Sequence, residues 1–216
     1  MFSGYDTVSY SSVSGRGEAG NICVVLVRPY GWDGVLLEVD DPAAWFRALW
    51  AARERGELVC EEIVPAARTV LLRGVQGRPC WQDWTPAAGE AATARRLDVP
   101  VHWDGPDYAA VAAAWDAEPA DVLKGTEFTV AFCGFAPGFG YLTGLPEQRW
   151  LPRLASPRTR VPAGSVALAG PYAGIYPRSS PGGWQLLGRT GLDLFVLDRD
   201  PPALLTPGTL VRFTDA

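Results

Sequence analysis

Residues 127–146 read Glu127-Phe-Thr-Val-Ala-Phe-Cys-Gly-Phe-Ala-Pro-Gly-Phe-Gly-Tyr-Leu-Thr-Gly-Leu-Pro146, a strand-forming run that breaks at Gly134 into glycine, proline and aromatic residues. The β-branched and aromatic residues of Glu127–Cys133 suit a pleated, half-buried surface, and the glycines that follow suit tight turns and close backbone approach. Further β-type runs follow at Ser165–Ala169, Trp184–Gly188, Leu192–Leu197 and Leu210–Phe213, again separated by Gly/Pro turns. Short strands punctuated in this way are the pattern of a closed or nearly closed β-barrel.

Moving toward the N-terminus, the barrel domain is expected to span residues 100–216. It opens with a strand around Val101–Trp103, then a helix over Pro106–Trp115 and a short helix after Pro119 that ends by Lys124-Gly125. Residues 82–99, rich in Ala, Thr and Pro without alternation, read as a linker. Residues 21–81 read as a small α+β domain. Strands are expected at Ile22–Val27, Val35–Val39, Leu58–Val64 and Arg68–Arg73, and a helix capped by Asp41 would carry Trp45, Phe46, Leu49 and Trp50 as one apolar stripe. Residues 1–20 hold Ser and Gly with little to bury and read as a flexible tail. The fold class is therefore α+β, a small N-terminal α+β domain followed by a β-barrel domain.

Composition narrows the function. With 216 residues, 48% of them hydrophobic and 20% charged, the chain is of ordinary globular type. Its apolar runs are far shorter than the roughly 20 residues of a membrane-spanning helix, and the Ser/Gly-rich start lacks the basic opening of a signal peptide, so no membrane association and a cytoplasmic location are expected. A net charge of −5 argues against nucleic acid as a partner. The cysteines 23, 60, 80 and 133 are widely spread and His102 is the one histidine, so no metal-ligand spacing is present and none is expected to bind. Lys124 is the one lysine and lies in no phosphate-loop motif, so any nucleotide site must be of another type.

Between Gly134 and Thr190 six arginines (149, 153, 158, 160, 178 and 189) face one acid, Glu147. Arginine's planar fork suits carboxylate and phosphate, so this excess points to an anionic ligand or an acidic partner surface, against the alternative of a solvated rim. Arg158 and Arg189, beside Pro and Gly turns, are the expected ligand contacts. The loops Gly134, Phe135, Pro137, Gly138, Phe139 and Ser180, Gly182, Gly183 offer backbone N–H groups for an anion, or else simply turn barrel corners. Acid–base residues are scarce here: the segment has no histidine, lysine or aspartate, and no catalytic residue is identified. Cys133 with His102 would make a thiol nucleophile pair, against the alternative of a buried strand cysteine.

The runs Gly134-Phe-Ala-Pro-Gly-Phe139, Pro157-Arg-Thr-Arg-Val-Pro-Ala-Gly-Ser-Val166, Gly174-Ile-Tyr-Pro177, Ser180-Pro-Gly-Gly-Trp-Gln185 and Gly188-Arg-Thr190 together resemble the carboxyltransferase subdomain C/D family, over roughly Pro29 to Phe213. Tyr172-Ala173 stand where that family usually has Gln-Thr. The resemblance implies that the barrel is cyclophilin-like and that the chain works together with C-type and A-type subunits. It further implies a hetero-oligomer that opens 5-oxo-L-proline to glutamate with ATP and Mg²⁺, the nucleotide being shared with the partners. Arg158, Ser165, Tyr176, Gln185 and Arg189 would then hold the substrate. The family equally contains KipI-type inhibitors of sensor histidine kinases and the allophanate hydrolase region of urea carboxylase, and the sequence leaves these alternatives open.

Overall fold

Asp41 starts the helix Pro42–Glu54 of the N-terminal unit as its composition dictates. The carboxylate Oδ1 accepts the Ala44 N–H at 2.9 Å and Pro42 occupies the first turn, so two unsatisfied helix-end donors are dealt with locally. The computed structural model describes residues 12–16, 22–77 and 95–216, with side chains over 25–77 and 95–216. The chain divides into two units, Met1–Glu90 and Ala91–Ala216. Much of the expected tail and residues 82–94 of the expected linker lie outside the described residues. No helix among the described residues is long and apolar enough to cross a membrane.

In the first unit, helix α1 (Pro42–Glu54) accompanies an antiparallel sheet of β1 (Ser12–Arg16), β2 (Ile22–Tyr30), β3 (Gly34–Glu38), β4 (Glu62–Pro65) and β5 (Thr69–Arg73), in the order β1-β2-β3-β5-β4. Leu37, Val70 and Leu72 from the sheet meet Trp45 and Leu49 from the helix in one core. Each such side chain contributes about 1.5–3 kcal/mol by leaving water. Three expectations change. The strand expected at Leu58–Val64 begins only at Glu62 and runs to Pro65. The buried stripe of α1 is Trp45, Leu49 and Ala52, whereas Trp50 is 44% exposed with the Arg53 guanidinium over its ring. Ser12–Arg16, expected in the tail, is a strand because β2 offers it an antiparallel backbone partner.

The second unit begins with β6 (Arg96–Val101), which starts earlier than the strand expected at Val101–Trp103 and takes up the end of the expected linker. It pairs in parallel with the last strand, β14 (Leu210–Asp215), over six residues, and that pairing rather than local propensity fixes its start. Between them come α2 (Tyr108–Trp115), α3 (Pro119–Lys124), β7 (Phe128–Cys133), β8 (Gly140–Thr143), β9 (Arg158–Val161), β10 (Ser165–Ala169), β11 (Tyr172–Ile175), β12 (Ser180–Gly182) and β13 (Gln185–Arg189). Seven strands form one sheet in the order β13-β10-β11-β8-β7-β14-β6, and β12 with β9 forms a separate two-stranded ribbon.

The edges of the seven-stranded sheet meet. His102, next after β6, exchanges both backbone hydrogen bonds with Arg189, the end of β13, each at 2.9 Å, and the Gly105 and Asp107 N–H groups continue the seam onto Leu187 and Leu186. Gly188 makes this approach possible, since a Cβ there would stand 2.4 Å from the His102 carbonyl oxygen. The sheet thus closes into a barrel and leaves few free edges. Strand β10 is buried at every position: Val166 and Leu168 enter the barrel core with Phe128, Leu142 and Phe213, while Ala167 and Ala169 face a second cluster containing Phe139, Tyr176 and Trp184. The alanines leave room on that face for large rings.

The run Leu192–Leu197 is not a strand. The Arg199 guanidinium donates to the carbonyls of Asp193, Leu194 and Pro202 and holds the segment as a loop, with Leu194 in the core and a single bridge from Phe195 to Ala203. Conversely β8, β9, β11 and β12 were not expected, because each is three or four residues long and β8, β11 and β12 contain glycine, a residue that weakens strand propensity.

Candidate functional site

The second cluster opens to solvent as a pocket of about 310 Å³ lined by Phe135, Phe139, Tyr141, Arg153, Tyr176 and the turn Pro181–Trp184, with Pro157 at its side. Its wall is built of rings meeting edge to face. Phe139 lies 5.5 Å from both Tyr176 and Trp184, and Phe135 lies 5.3 Å from Phe139. Phe139, Tyr176 and Trp184 are at most 5% exposed, whereas Phe135 is 58% exposed and forms the outer lip. Such pairs contribute about 0.5–1.5 kcal/mol beyond area burial, so the wall is firm.

The Gly134–Phe139 turn is closed on itself. The Gly134, Ala136 and Phe139 N–H groups donate to Phe139, Gly134 and Ala136 carbonyls, and Phe135 sits at φ 63°, Gly138 at φ 85°. Two of the N–H groups expected to hold an anion, those of Gly134 and Phe139, are thus used within the turn, which presents the Phe135 ring at the pocket; Pro137 is exposed at its tip. Elsewhere on the lining, Gly182 packs tightly on Tyr176: an added Cβ would stand 2.3 Å from the Tyr176 hydroxyl, so the tyrosine would have to shift. The Gly183 carbonyl accepts the Leu154 N–H at 2.7 Å, and the Ser180 hydroxyl is withdrawn from solvent without a hydrogen-bond partner among the described residues.

The favoured arginines are placed differently from expectation. Arg158 does not point a free fork into the pocket: it donates to Asp107 Oδ1 at 2.6 Å and to the Trp184 carbonyl at 3.3 Å, while Asp107 Oδ2 accepts the Leu186 N–H at 2.7 Å. With the two side chains 27% and 12% exposed, this pair is a strut that fixes the Trp184 wall. Arg189 stands at the barrel seam in an exposed pair with Asp104 and lines no part of the pocket. Ser165 is buried and donates to the Pro162 carbonyl at 2.9 Å, Gln185 donates to the Pro152 carbonyl at 3.1 Å, and neither lines the pocket. Of the five expected substrate contacts, Tyr176 alone lines the pocket.

Arg153, one of the six counted arginines, is the cation on the lining instead. It is exposed and makes no ion pair among the described residues. Asp107, the strut's acid, falls by sequence only in the first turn of the expected helix Pro106–Trp115; the structure places it just before α2. Burial raises the Tyr176 hydroxyl above its ordinary range, with the charges of Arg153 and Arg158 and the Trp184 N–H pulling the other way, so it stays a neutral phenol. Cys133 is no nucleophile: its thiol donates to the Leu205 carbonyl at 3.4 Å and burial pushes it up to about 11.

The donor set does not match Mg·ATP. A triphosphate with its metal needs several cations or a cradle of free N–H groups together with oxygen ligands. The lining supplies a single arginine, and no group of three or more His, Cys, Asp or Glu among the described residues is placed to hold a metal.

Comparison with known proteins assigns this architecture. Residues 25–205 match the family described as carboxyltransferase domain, subdomain C and D. The chain is 39% identical over 205 residues to a protein named as the B subunit of 5-oxoprolinase from Escherichia coli O157:H7, covering 85% of this chain and 92% of that one. It is 43% identical over 125 residues to a protein of the same name from Bacillus subtilis (strain 168), covering 55% of this chain and about half, 52%, of the relative. The crystal structure of TTHA0988 superposes with a TM-score of 0.67 at 33% identity, over 88% of this chain and 40% of that longer one. From the closed barrel, its turn sequences and these likenesses together, the chain belongs to the carboxyltransferase subdomain C and D family.

Proposed function

We propose that this chain is the B-type component of a multi-subunit, ATP-dependent 5-oxoprolinase, a cytoplasmic complex with C-type and A-type partners that opens 5-oxo-L-proline to L-glutamate. The observation that carries the reading is the likeness, 39% identity across 92% of its length, to a protein named as the B subunit of 5-oxoprolinase. The pocket supports a binding role, since it offers a firm aromatic wall, one cation and a neutral phenol. It offers no carboxylate or imidazole on its lining, and opening an amide requires proton transfer to the leaving nitrogen. This chain's share of the work is thus to hold and orient substrate and exclude water, and the proton-transfer groups belong to the partner subunits. ATP with Mg²⁺ is assigned to the partners for the reason of donor chemistry given above.

Co-expression of the chain with neighbouring C-type and A-type subunits should yield a complex that releases glutamate from 5-oxoproline when ATP is present. Absence of release where a control complex works would remove the reading. A second reading, a KipI-like inhibitor of a sensor histidine kinase, is favoured by the exposed apolar run Phe195, Val196 and Leu197, the last 78% exposed. It requires that Leu197→Asp abolish kinase inhibition by the purified chain, and kinase autophosphorylation undisturbed by the wild-type chain would exclude it.

A further inference from the structure

The arginine cluster is less uniform than its sequence density implies. Arg158 is held by Asp107, Arg189 by Asp104, Arg149 by the Trp115 carbonyl and ring, and Arg160 by the Ser179 hydroxyl. Arg153 lines the pocket, is exposed and has no such partner among the described residues, while its charge reaches the buried Tyr176 hydroxyl. A guanidinium with uncommitted donors at a ring-lined cavity of about 310 Å³ suits a compact ligand with one carboxylate and a flat, largely apolar body. Larger anions with several charges find one cation and rigid walls.

We infer that Arg153 is the carboxylate anchor of this pocket and that the lactam ring of the substrate lies among Phe135, Phe139 and Trp184. The inference rests on the 5-oxoprolinase reading and deepens it, because it makes this chain select for the carboxylate of 5-oxoproline and against the same ring without it. Arg158 acts on that selection through another residue: as a positioning residue it holds the Trp184 carbonyl, and Trp184 lines the same pocket as Arg153.

The test is arginine modification by a dicarbonyl reagent on the full chain assembled with its partner subunits, read by peptide mapping. 5-Oxo-L-proline should protect Arg153 and leave Arg160 and Arg178 reactive, and 2-pyrrolidinone, the same ring without carboxylate, should not protect. In the same complex Arg153→Gln should raise KM for 5-oxoproline about 30-fold or more with a much smaller change in kcat, and Arg153→Lys should recover part of it. Equal modification of Arg153 with and without 5-oxoproline, equal protection by both lactams, or an unchanged KM in Arg153→Gln would overturn the inference. Turnover with Arg153 unprotected removes the anchor and keeps the function. Protection of Arg153 by 5-oxoproline without turnover removes the function and keeps the carboxylate site.

Discussion

Asp107 and Arg158, distant in sequence, form the ion pair that ties the start of α2 to the ribbon strand β9, and each partner also holds a backbone group of the Trp184–Leu186 segment. One carboxylate and one guanidinium thus fasten three pieces of chain around the pocket. Because the pair is mostly withdrawn from water, removing one partner leaves the other charge poorly compensated.

Asp107→Asn or Arg158→Ala should therefore lower stability by about 2 kcal/mol, which for a chain of this size is about 4–8 °C in Tm. Arg158→Lys should not restore it, since a point-charge ammonium cannot serve Asp107 and the Trp184 carbonyl together. Differential scanning calorimetry of the three variants checks this. A melting temperature unchanged in Asp107→Asn would show that the strut carries no load.

The Gly182 position gives a steric prediction. An alanine there collides with the Tyr176 hydroxyl at 2.3 Å, and with ring carbon Cζ at 2.9 Å, so Gly182→Ala should displace the tyrosine and deform the pocket. Adding Tyr176→Phe removes the closest contact and should recover part of the lost stability, a coupling of about 1 kcal/mol in a double-mutant cycle. Strict additivity of the two substitutions would contradict the contact.

The glycine, proline and aromatic framework of this pocket was legible in sequence because each such residue answers a local demand, a turn or a ring wall. The arginines were legible as a cluster but not as individuals: whether a guanidinium is free depends on acids far away in the chain, as Asp107 is from Arg158 and Asp104 from Arg189. Short strands such as β11 and β12 were hidden for a related reason, since pairing with neighbouring strands, β10 and β8 for β11 and β9 for β12, rather than residue propensity makes them strands. Leu192–Leu197 erred the other way, its strand-like composition overridden by the Arg199 bonds to nearby carbonyls.

At the seam, backbone and side chain separate cleanly. Arg189→Ala removes a pair exposed on both sides, of a kind that contributes about 0–1 kcal/mol, and should leave turnover of the assembled complex within about 2-fold. Gly188→Ala places a Cβ 2.4 Å from the His102 carbonyl and should cost about 3 kcal/mol or more, visible as a lower urea midpoint. A large activity loss in Arg189→Ala with stability intact would return that residue to the binding site.

Cys133 supplies a pH dependence. The folded state raises its thiol from 9.0 to about 11, so between these values the unfolded chain releases a proton that the folded chain keeps. More protons bound in the folded state means stability that falls as pH rises, here across about 9 to 11 and unaffected below. Cys133→Ala should lose less stability over that window than the wild type. At pH 8 the native thiol should react with iodoacetamide about 100-fold more slowly than a free cysteine. Rapid alkylation of Cys133 at that pH would contradict its placement.

The most direct measurement is add-back to the C-type and A-type subunits purified without this chain, with glutamate release from 5-oxoproline and ATP as the readout. The account predicts no release from the partners alone, full release on adding the wild-type chain, and at least about 10-fold less on adding a Gly182→Ala chain that still co-purifies with them. Glutamate release by the partners alone, or undiminished release with the pocket deformed, would contradict it.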